Sequence, residues 1–363
     1  MQTAATYRQA IITLLLALLT ISATAQIKSE VSETVELMGI LSRTAGFQEF
    51  CDDLAGQYSK DTETWFAKYR EHPTVIYYKD LRAKHDIAYE RVTNMAVHLE
   101  IDKGEVKLIG DRVELTNGWQ DVDLDVFVKR LNKFYEDTRF HEFYEQHQSF
   151  YNDFLKVYDT NVMPFIHPEW YGKFYNGTEA TDCFHIIIGF TYGTTNNGVS
   201  RQLPGRPREL FAVCGYNLNP NTGRLLFDTS LPLHEFNHPF INPLLEKTKN
   251  AKAMQEIGQK LFQLSQQSMR QQHYDDWRIV INESLVRAAV IVYYYEHGQN
   301  QFALNNQFAL NMLTMETMKN GFPWMLDVVA ALRYYATHRE QYPTLDDFYP
   351  EIARCLSKYV QKN

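Results

Sequence analysis

Apolar residues recur at three- and four-residue steps along most of the chain, which is the period of an amphipathic helix. This pattern predicts helical segments at 29–70, 81–99, 126–159, 250–272, 277–296, 302–319, 323–338 and 346–359. The pattern changes after Pro164, where two short runs rich in β-branched and aromatic residues, 183–190 and 209–216, predict strands. We therefore predict an α+β fold that is mostly helical and contains a short mixed sheet.

The first 25 residues have the pattern of a secretory signal peptide. Arg8 is the only charged residue before Lys28, an apolar run covers 10–21, and the small residues at 23–25 are typical of a cleavage site. No later stretch is a run of 18 apolar residues, so we predict no transmembrane segment after signal cleavage. The mature protein is thus predicted to be exported, to the periplasm or to the extracellular space.

The composition is that of a globular protein, since 45% of the 363 residues are hydrophobic and 22% are charged. The formal net charge is −8 and the chain has no basic run, which argues against nucleic acid as a partner. An oxidising compartment permits disulfides among the four cysteines, Cys51, Cys183, Cys214 and Cys355. A bridge between Cys183 and Cys214 and a set of buried free thiols are both open alternatives.

The stretch 231–243 contains the one complete reacting group that the sequence offers. It includes an HExxH motif formed by His234, Glu235 and His238. Residues four apart lie on one face of a helix, so the two imidazoles are placed to bind one Zn²⁺ ion. Glu235 then lies beside the position of a bound water, where it is a candidate general base. Pro239 follows the second histidine, which predicts that the motif helix bends or ends there.

Catalytic zinc usually takes three protein ligands, so one more is needed besides the two histidines. Glu256 lies in a polar helical segment, where a charge is usually solvated. Glu283 is the lone acid inside an apolar helical segment, and a buried carboxylate is costly unless it is paired or bound to a metal. We favour Glu283, with Arg287 as its ion-pair partner or as support for the ligand. His185 is a further candidate, although a histidine in an apolar strand is more often part of the core.

The motif segment HEFNHPFINP and the later segment NESLVRA resemble an uncharacterised family of exported bacterial proteins with a gluzincin-type site, a domain of unknown function. Gluzincins are HExxH zinc peptidases whose third ligand is a glutamate on a later helix. The likeness extends upstream through the aromatic segment 127–147 and covers roughly the last 280 residues. The site residues that it implies are the zinc ligands His234, His238 and Glu283 and the general base Glu235.

The resemblance also implies a zincin-like catalytic region, in which a short mixed sheet accompanies the HExxH helix. We accordingly predict a signal peptide at 1–25, a helical N-terminal region at 26–160 that packs on the catalytic part, and a zincin-like metallopeptidase region at 161–363. The proline at 239 and the long separation before Glu283 depart from the best-known gluzincins, and both departures concern the geometry of the motif helix.

The function implied is hydrolysis of peptide bonds by an exported zinc metallopeptidase that acts on a peptide or protein. Two alternatives are open: a zinc hydrolase that acts on another bond, and a non-catalytic binding protein that keeps the zincin fold. An intact Glu235 argues against the last, because a structural metal site needs no general base. Arg287 and Tyr294, which lies on the face of Glu283, are candidates for contacts with the substrate or oxyanion. The strand at 183–190 is a candidate to hold an extended substrate by edge pairing.

Overall fold

The structure is a computed structural model that describes residues 26–115, 118–176, 182–216, 228–297 and 303–363. These residues form an α+β fold that is mostly helical and has a small mixed sheet, which confirms this part of the predicted fold class. The predicted signal peptide at 1–25 lies outside the described residues. None of the helices in the described ranges is long and apolar enough to cross a membrane.

Helices account for most of the described chain, and the strands are short. The strands are β1 (Gln26–Glu30), β2 (Leu99–Asp102), β3 (Glu105–Leu108), β4 (Cys183–Gly189), β5 (Asn197–Arg201) and β6 (Glu209–Gly215). The helices before the central strands are α1 (Glu33–Thr44), α2 (Gln57–Phe66), α3 (Pro73–His85), α4 (Glu90–Val97), α5 (Leu124–Asp137), α6 (Phe140–Gln146), α7 (Gln148–Asn161) and α8 (Pro168–Tyr171). The helices after them are α9 (Ser230–Glu246), α10 (Thr248–Leu264), α11 (Gln266–Gln271), α12 (Trp277–His297), α13 (Ala303–Met318), α14 (Met325–Thr337) and α15 (Leu345–Lys362).

The main sheet has four strands in the order β1-β4-β6-β5. Strands β1, β4 and β6 run parallel, and β5 pairs antiparallel with β6 at one edge. Every residue of β4 from Phe184 onward is buried, as expected for a parallel strand that is covered on both faces. Because β4 has a paired strand on each side, the prediction that it holds a substrate by edge pairing is wrong.

Strand β1 joins the start of the described chain to the main sheet. The sequence predicts helix from residue 29, but residues 26–30 pair in parallel with β4 instead. Helix α1 begins after Ser32, whose hydroxyl accepts a hydrogen bond from the Val35 backbone N–H at 3.4 Å. Buried apolar side chains from before and after residue 160 form one continuous core. The division of the chain at 160/161 stays a prediction.

Left-handed residues divide two of the predicted helical segments. The segment 81–99 separates into α3, α4 and the start of β2, with Asp86 at φ 51° and Tyr89 at φ 47° between the two helices. Arg139, at φ 55°, separates α5 from α6 within the segment 126–159. A right-handed helix cannot continue through a residue in this conformation, and hydrophobic periodicity alone does not show such a break.

The four cysteines, all of which lie in the described ranges, are free thiols. Cys183 begins β4 opposite Glu209, whereas Cys214 lies five residues further along β6, opposite Ile188. Five residues of strand span about 16 Å, and a disulfide needs α-carbons within roughly 7 Å. The register of the sheet therefore excludes the Cys183–Cys214 bridge.

Candidate metal centre

Helix α9, which carries the HExxH motif, packs against strands β5 and β6 on one side and against α12 on the other. Asn237, inside the motif, holds it there: its side-chain oxygen accepts a hydrogen bond from the Tyr175 hydroxyl at 2.8 Å. The Asn237 amide donates to the Val286 carbonyl of α12 at 3.4 Å. The motif helix is therefore fixed by buried polar contacts as well as by apolar packing.

The motif helix does not end after the second histidine, because α9 continues through Pro239 to Glu246. A proline has no N–H, so the carbonyl of Glu235, four residues earlier, loses its helical hydrogen bond. Gly198 of β5 lies directly against this carbonyl: a Cβ added to the glycine would be 1.8 Å from the Glu235 oxygen. The strand thus covers the carbonyl that the proline leaves free, and only a glycine fits there.

The two histidines of the motif face a cavity of about 680 Å³. The Nε2 atoms of His234 and His238 are 3.2 Å apart. The other ring nitrogen of His238, Nδ1, lies 3.2 Å from the side-chain oxygen of Asn242, one helical turn on. A hydrogen bond from Nδ1–H to this oxygen leaves Nε2 of His238 as the nitrogen that can bind a metal.

A carboxylate from α12 completes the group. Glu283 places Oε2 3.5 Å from Nε2 of His234 and Oε1 3.6 Å from Nε2 of His238. Two ligand atoms at typical zinc distances in a tetrahedral site are separated by roughly 3.3–3.5 Å. The donor set of two imidazoles and one carboxylate, with these separations, therefore fits a single zinc ion.

Glu256, the competing candidate, lies elsewhere. Its side chain is 82% exposed on α10 and accepts a hydrogen bond from the Lys260 ammonium at 2.8 Å. The structure thus brings Glu283 to the two histidines and leaves Glu256 on the solvated face that its polar sequence neighbours indicate.

Glu235 lies beside the same group. Its Oε2 is 3.8 Å from Nε2 of His238, and ligand atoms of His234, Glu235 and His238 all lie within 4.8 Å of one another. The side chain is 4% exposed and lines the cavity. Burial raises the pKa of Glu235 to about 8, because a carboxylate loses hydration there. A group with this pKa can accept and return a proton near neutral pH.

The surroundings favour the metal-binding protonation state of two of the three ligand candidates, whereas burial of His238 is outweighed by Glu283 and Glu235, which raise its pKa. Burial lowers the pKa of His234 to about 3, which keeps this imidazole neutral. Burial acts against the charge of Glu283 as well, but the His234 imidazole and the Arg287 guanidinium beside it outweigh burial and lower the pKa of Glu283 to about 2. Neutral imidazole and ionised carboxylate are the forms that bind a metal.

Arg287 supports Glu283 by a contact with the carboxylate oxygen that lies nearest His234. Its Nε donates to Oε2 of Glu283 at 3.1 Å, and its Nη1 donates to both carboxylate oxygens of Glu316 at 2.9 and 3.1 Å. Its Nη2 donates to the Tyr274 hydroxyl at 2.9 Å. This places Arg287 in contact with the third ligand candidate, as the sequence predicted, and commits its guanidinium to protein partners.

The sequence interpretation missed Glu316 and Tyr274. Glu316 is the only ionisable residue between 303 and 318, and it is 5% exposed. The cost of an unpaired buried carboxylate, the signal that singled out Glu283, was therefore present for Glu316 too. Tyr274 has no comparable signal, because nothing near it in sequence shows that it faces the cavity.

Residues far from the motif in sequence also line the cavity. Tyr89 and Glu90, at the start of α4, line it together with residues 194–198, which lead into β5. His273, at φ 62°, lines it from the other side. Tyr89, Glu90 and residues 194–198 were not assigned to the site from sequence, since only the fold brings them to it.

Two sequence candidates are not brought to the cavity. His185 lies on β4 between two carboxylates, with Nδ1 3.2 Å from Glu30 and Nε2 3.4 Å from Glu209. The Tyr294 hydroxyl pairs with the Thr229 hydroxyl at 2.7 Å. Neither residue is part of the cavity lining that the structure describes. Tyr294 and Glu283 share a face of α12, but the cavity extends along only the part of that face that includes Glu283.

The fold and the cavity define an α+β protein with a cluster of side chains that can hold a metal ion. The chain belongs to the family described as Domain of unknown function (DUF4932), which matches residues 22–355. This confirms the resemblance to a domain of unknown function. No curated protein and no solved structure matches the chain.

Proposed function

We propose that this chain is an exported zinc metallopeptidase of the gluzincin type, with a zincin-like catalytic region. His234, His238 and Glu283 bind the zinc ion, and Glu235 is the general base. The observation that carries the proposal is that the two Nε2 atoms are 3.2 Å apart and that each has a carboxylate oxygen of Glu283 within reach, Oε2 at 3.5 Å from His234 and Oε1 at 3.6 Å from His238. They are close to the roughly 3.3–3.5 Å between ligands of one tetrahedral zinc ion.

The chemistry follows from the roles of the protein groups. Zinc, when bound, lowers the pKa of a coordinated water towards neutrality and polarises a carbonyl. Glu235 takes a proton from the attacking water and passes it to the leaving amine, for which its burial-raised pKa of about 8 is suited. Arg287, held by Glu316, keeps the Glu283 carboxylate ionised and directed at the two histidines.

A peptide substrate is supported by the shape and lining of the cavity. Its volume of about 680 Å³ is large enough for a short stretch of chain. Residues 194–198 line the cavity where they lead into the edge strand β5, so their backbone groups are candidates to hold an extended segment. Asn196 itself is tied to β6, because its side-chain oxygen accepts from the Gly215 N–H at 2.9 Å.

The first test is the metal content of the protein after zinc loading and extensive dialysis. We expect one zinc per chain in the wild type, loss of zinc in Glu283→Ala, and retention in Glu256→Ala, which removes a carboxylate outside the cavity. Elemental analysis measures all three. A wild-type protein that binds no zinc when it is supplied, or a Glu283→Ala variant that retains it, would contradict the proposed site.

The second test separates catalysis from binding. Glu235→Gln keeps the size of the side chain but removes the base, so we expect full zinc content and a loss of peptide hydrolysis of about 10²–10⁴-fold. Mass spectrometry of a denatured-protein library detects the cleavage. Zinc binding without any cleavage by the wild type would favour a hydrolase for another bond or a binding protein.

A further inference from the structure

One carboxylate in the cavity has no partner. Among the charged groups of the lining, Glu283 and Glu316 are paired with Arg287, and Glu235 contacts His238. Glu90 has no hydrogen bond and no ion pair with any residue that the structure describes. Its neighbour Arg91 makes no ion pair with it, since that guanidinium binds Asp86. Glu90 is thus the one carboxylate of the described lining without a hydrogen bond or ion pair to another described residue.

The carboxylate of Glu90 faces the cleft. Glu90 is an exposed residue, and it lines the cavity. It is near enough to the proposed centre that its charge acts on Glu235 and His238. Desolvation raises the pKa of Glu90, and the charges of His238 and Arg91 offset this only in part.

The backbone holds Glu90 firmly in this position. Tyr89, just before it, has φ 47° and ψ −122°, a conformation that a bulky residue adopts only where the surrounding structure imposes it, frequently at a ligand site. Helix α4 is fixed behind it. The Asn197 amide of β5 donates to the Thr93 hydroxyl at 2.9 Å, and the Trp119 indole donates to the Arg91 carbonyl at 2.7 Å.

Tyr89 is a second residue of the cavity lining that can attract a positively charged group. Its side chain is 47% exposed, and it lines the cavity next to Glu90. An aromatic face beside a carboxylate is a favourable environment for an ammonium or guanidinium group, because both the ring and the charge attract a cation. An anionic or neutral group gains neither interaction.

We propose that Glu90, assisted by Tyr89, selects substrates that carry a positively charged group close to the hydrolysed bond. This rests on the proposed peptidase function, since it names the class of peptide that the cavity prefers. The cation is an ammonium or guanidinium, supplied either by a lysine or arginine side chain or by a free peptide N-terminus. Glu90 is here a specificity residue that contacts the substrate and does not take part in the proton transfers.

Binding of short peptides to a hydrolysis-deficient protein tests this assignment. The protein is zinc-loaded Glu235→Gln, and the probes are alanine peptides that carry one lysine, arginine, glutamine or glutamate, with free or acetylated N-termini. Isothermal titration calorimetry should show cationic peptides binding about 10- to 100-fold more tightly than the glutamine peptide, as for one charge-assisted hydrogen bond. Adding Glu90→Gln should abolish this preference.

The acetylated peptides distinguish the two sources of the cation. If acetylated lysine peptides keep the preference, the cation is a side chain. If only peptides with free N-termini show it, the cation is the α-amine.

Glu246→Gln is the matched control, because Glu246 is an exposed carboxylate whose charge reaches Glu90 but which lies outside the described cavity lining. We expect it to leave the preference intact. Absence of a charge preference, absence of peptide binding, or a preference that survives Glu90→Gln would overturn the assignment. If the preference depends on Glu90 but the wild type cleaves no peptide, the peptidase function is wrong and the cation site stands. If the wild type cleaves peptides but shows no such preference, the cation site is wrong and the peptidase function stands.

Discussion

The pKa values of two buried carboxylates are shifted in opposite directions, and the neighbours of each carboxylate determine the direction. Glu283 faces two histidines and Arg287, and its pKa falls to about 2 although burial acts against ionisation. Glu235, equally buried, has no arginine in contact, and its pKa rises to about 8. Two carboxylates whose environments move their pKa values apart can have different roles in one site. This contrast supports the roles proposed for the two glutamates.

A third buried carboxylate, Glu36 of α1, lies outside the cavity. It is fully buried, accepts hydrogen bonds from the Tyr58 hydroxyl at 2.5 Å and the Phe190 N–H at 2.7 Å, and burial raises its pKa to about 7. A carboxyl whose pKa is raised on folding is most stabilising below its unfolded pKa of 4.5, and this stability is lost as the pH rises through 7.

We therefore expect Glu36→Gln to remove a pH dependence of stability. The free energy of unfolding of the wild type should fall by up to about 3 kcal/mol between pH 4.5 and 8 relative to that of the variant. Urea unfolding at several pH values measures the difference, with the exposed Glu71→Gln as control. A wild type and a Glu36→Gln variant with parallel pH profiles would show that Glu36 is ionised in the folded protein at no cost.

At the scale of the elements, the site depends on a close contact between α9 and β5. Pro239 frees the Glu235 carbonyl, and Gly198 fills the space against it. The same contact positions the first turns of α9, which carry both motif histidines. A helix that contains a proline is normally weakened at this point, and the strand supplies packing there instead.

A side chain at residue 198 should separate the two elements. Gly198→Ala places a Cβ 1.8 Å from a backbone oxygen, so we expect a loss of about 3 kcal/mol in unfolding free energy and weaker zinc binding. Gly205→Ala is the control: nothing lies within 4 Å of its Cβ, and only its φ of 71° opposes the change. Urea unfolding and zinc titration follow both effects. Equal stability of the two variants would mean that β5 moves away from α9 without cost.

For the whole molecule, the candidate zinc site is an addition to a core that does not need it. Buried apolar residues from Val31 to Leu356 form one continuous cluster, and the main sheet combines β1 with strands from beyond residue 180. A core of this size is stable without a metal, unlike that of a small zinc domain. The zinc should therefore stabilise the fold without determining it.

We expect removal of zinc by a chelator to leave the helical circular dichroism unchanged and to lower Tm by about 5–10 °C, as for a ligand bound well above its Kd. Glu283→Ala, which lacks a ligand, should show no such shift with the chelator. Loss of the helical signal on chelation would mean that the metal holds the fold together. An unchanged Tm in the wild type would argue against a bound zinc ion.

The sequence by itself determined the features that depend on residues close together along the chain. The four-residue spacing of His234 and His238 sets their geometry within one helix, and the cost of a buried carboxylate pointed to Glu283 over Glu256. The long helix α12 and the strands β4 and β6 were predicted within a residue or two, because each has a strong local pattern.

Only the tertiary structure decided what depends on partners far along the chain. β1, with the sequence QIKSE, has a single apolar residue and so shows no strand pattern, and it is a strand because β4 offers it an edge. Helix α9 continues through Pro239 because β5 covers the freed carbonyl. Glu90 enters the cavity because the turn at Tyr89 and the contacts of α4 with β5 direct it there. Local sequence sets helical period and ligand spacing, whereas which surfaces meet depends on the summed packing of the whole core.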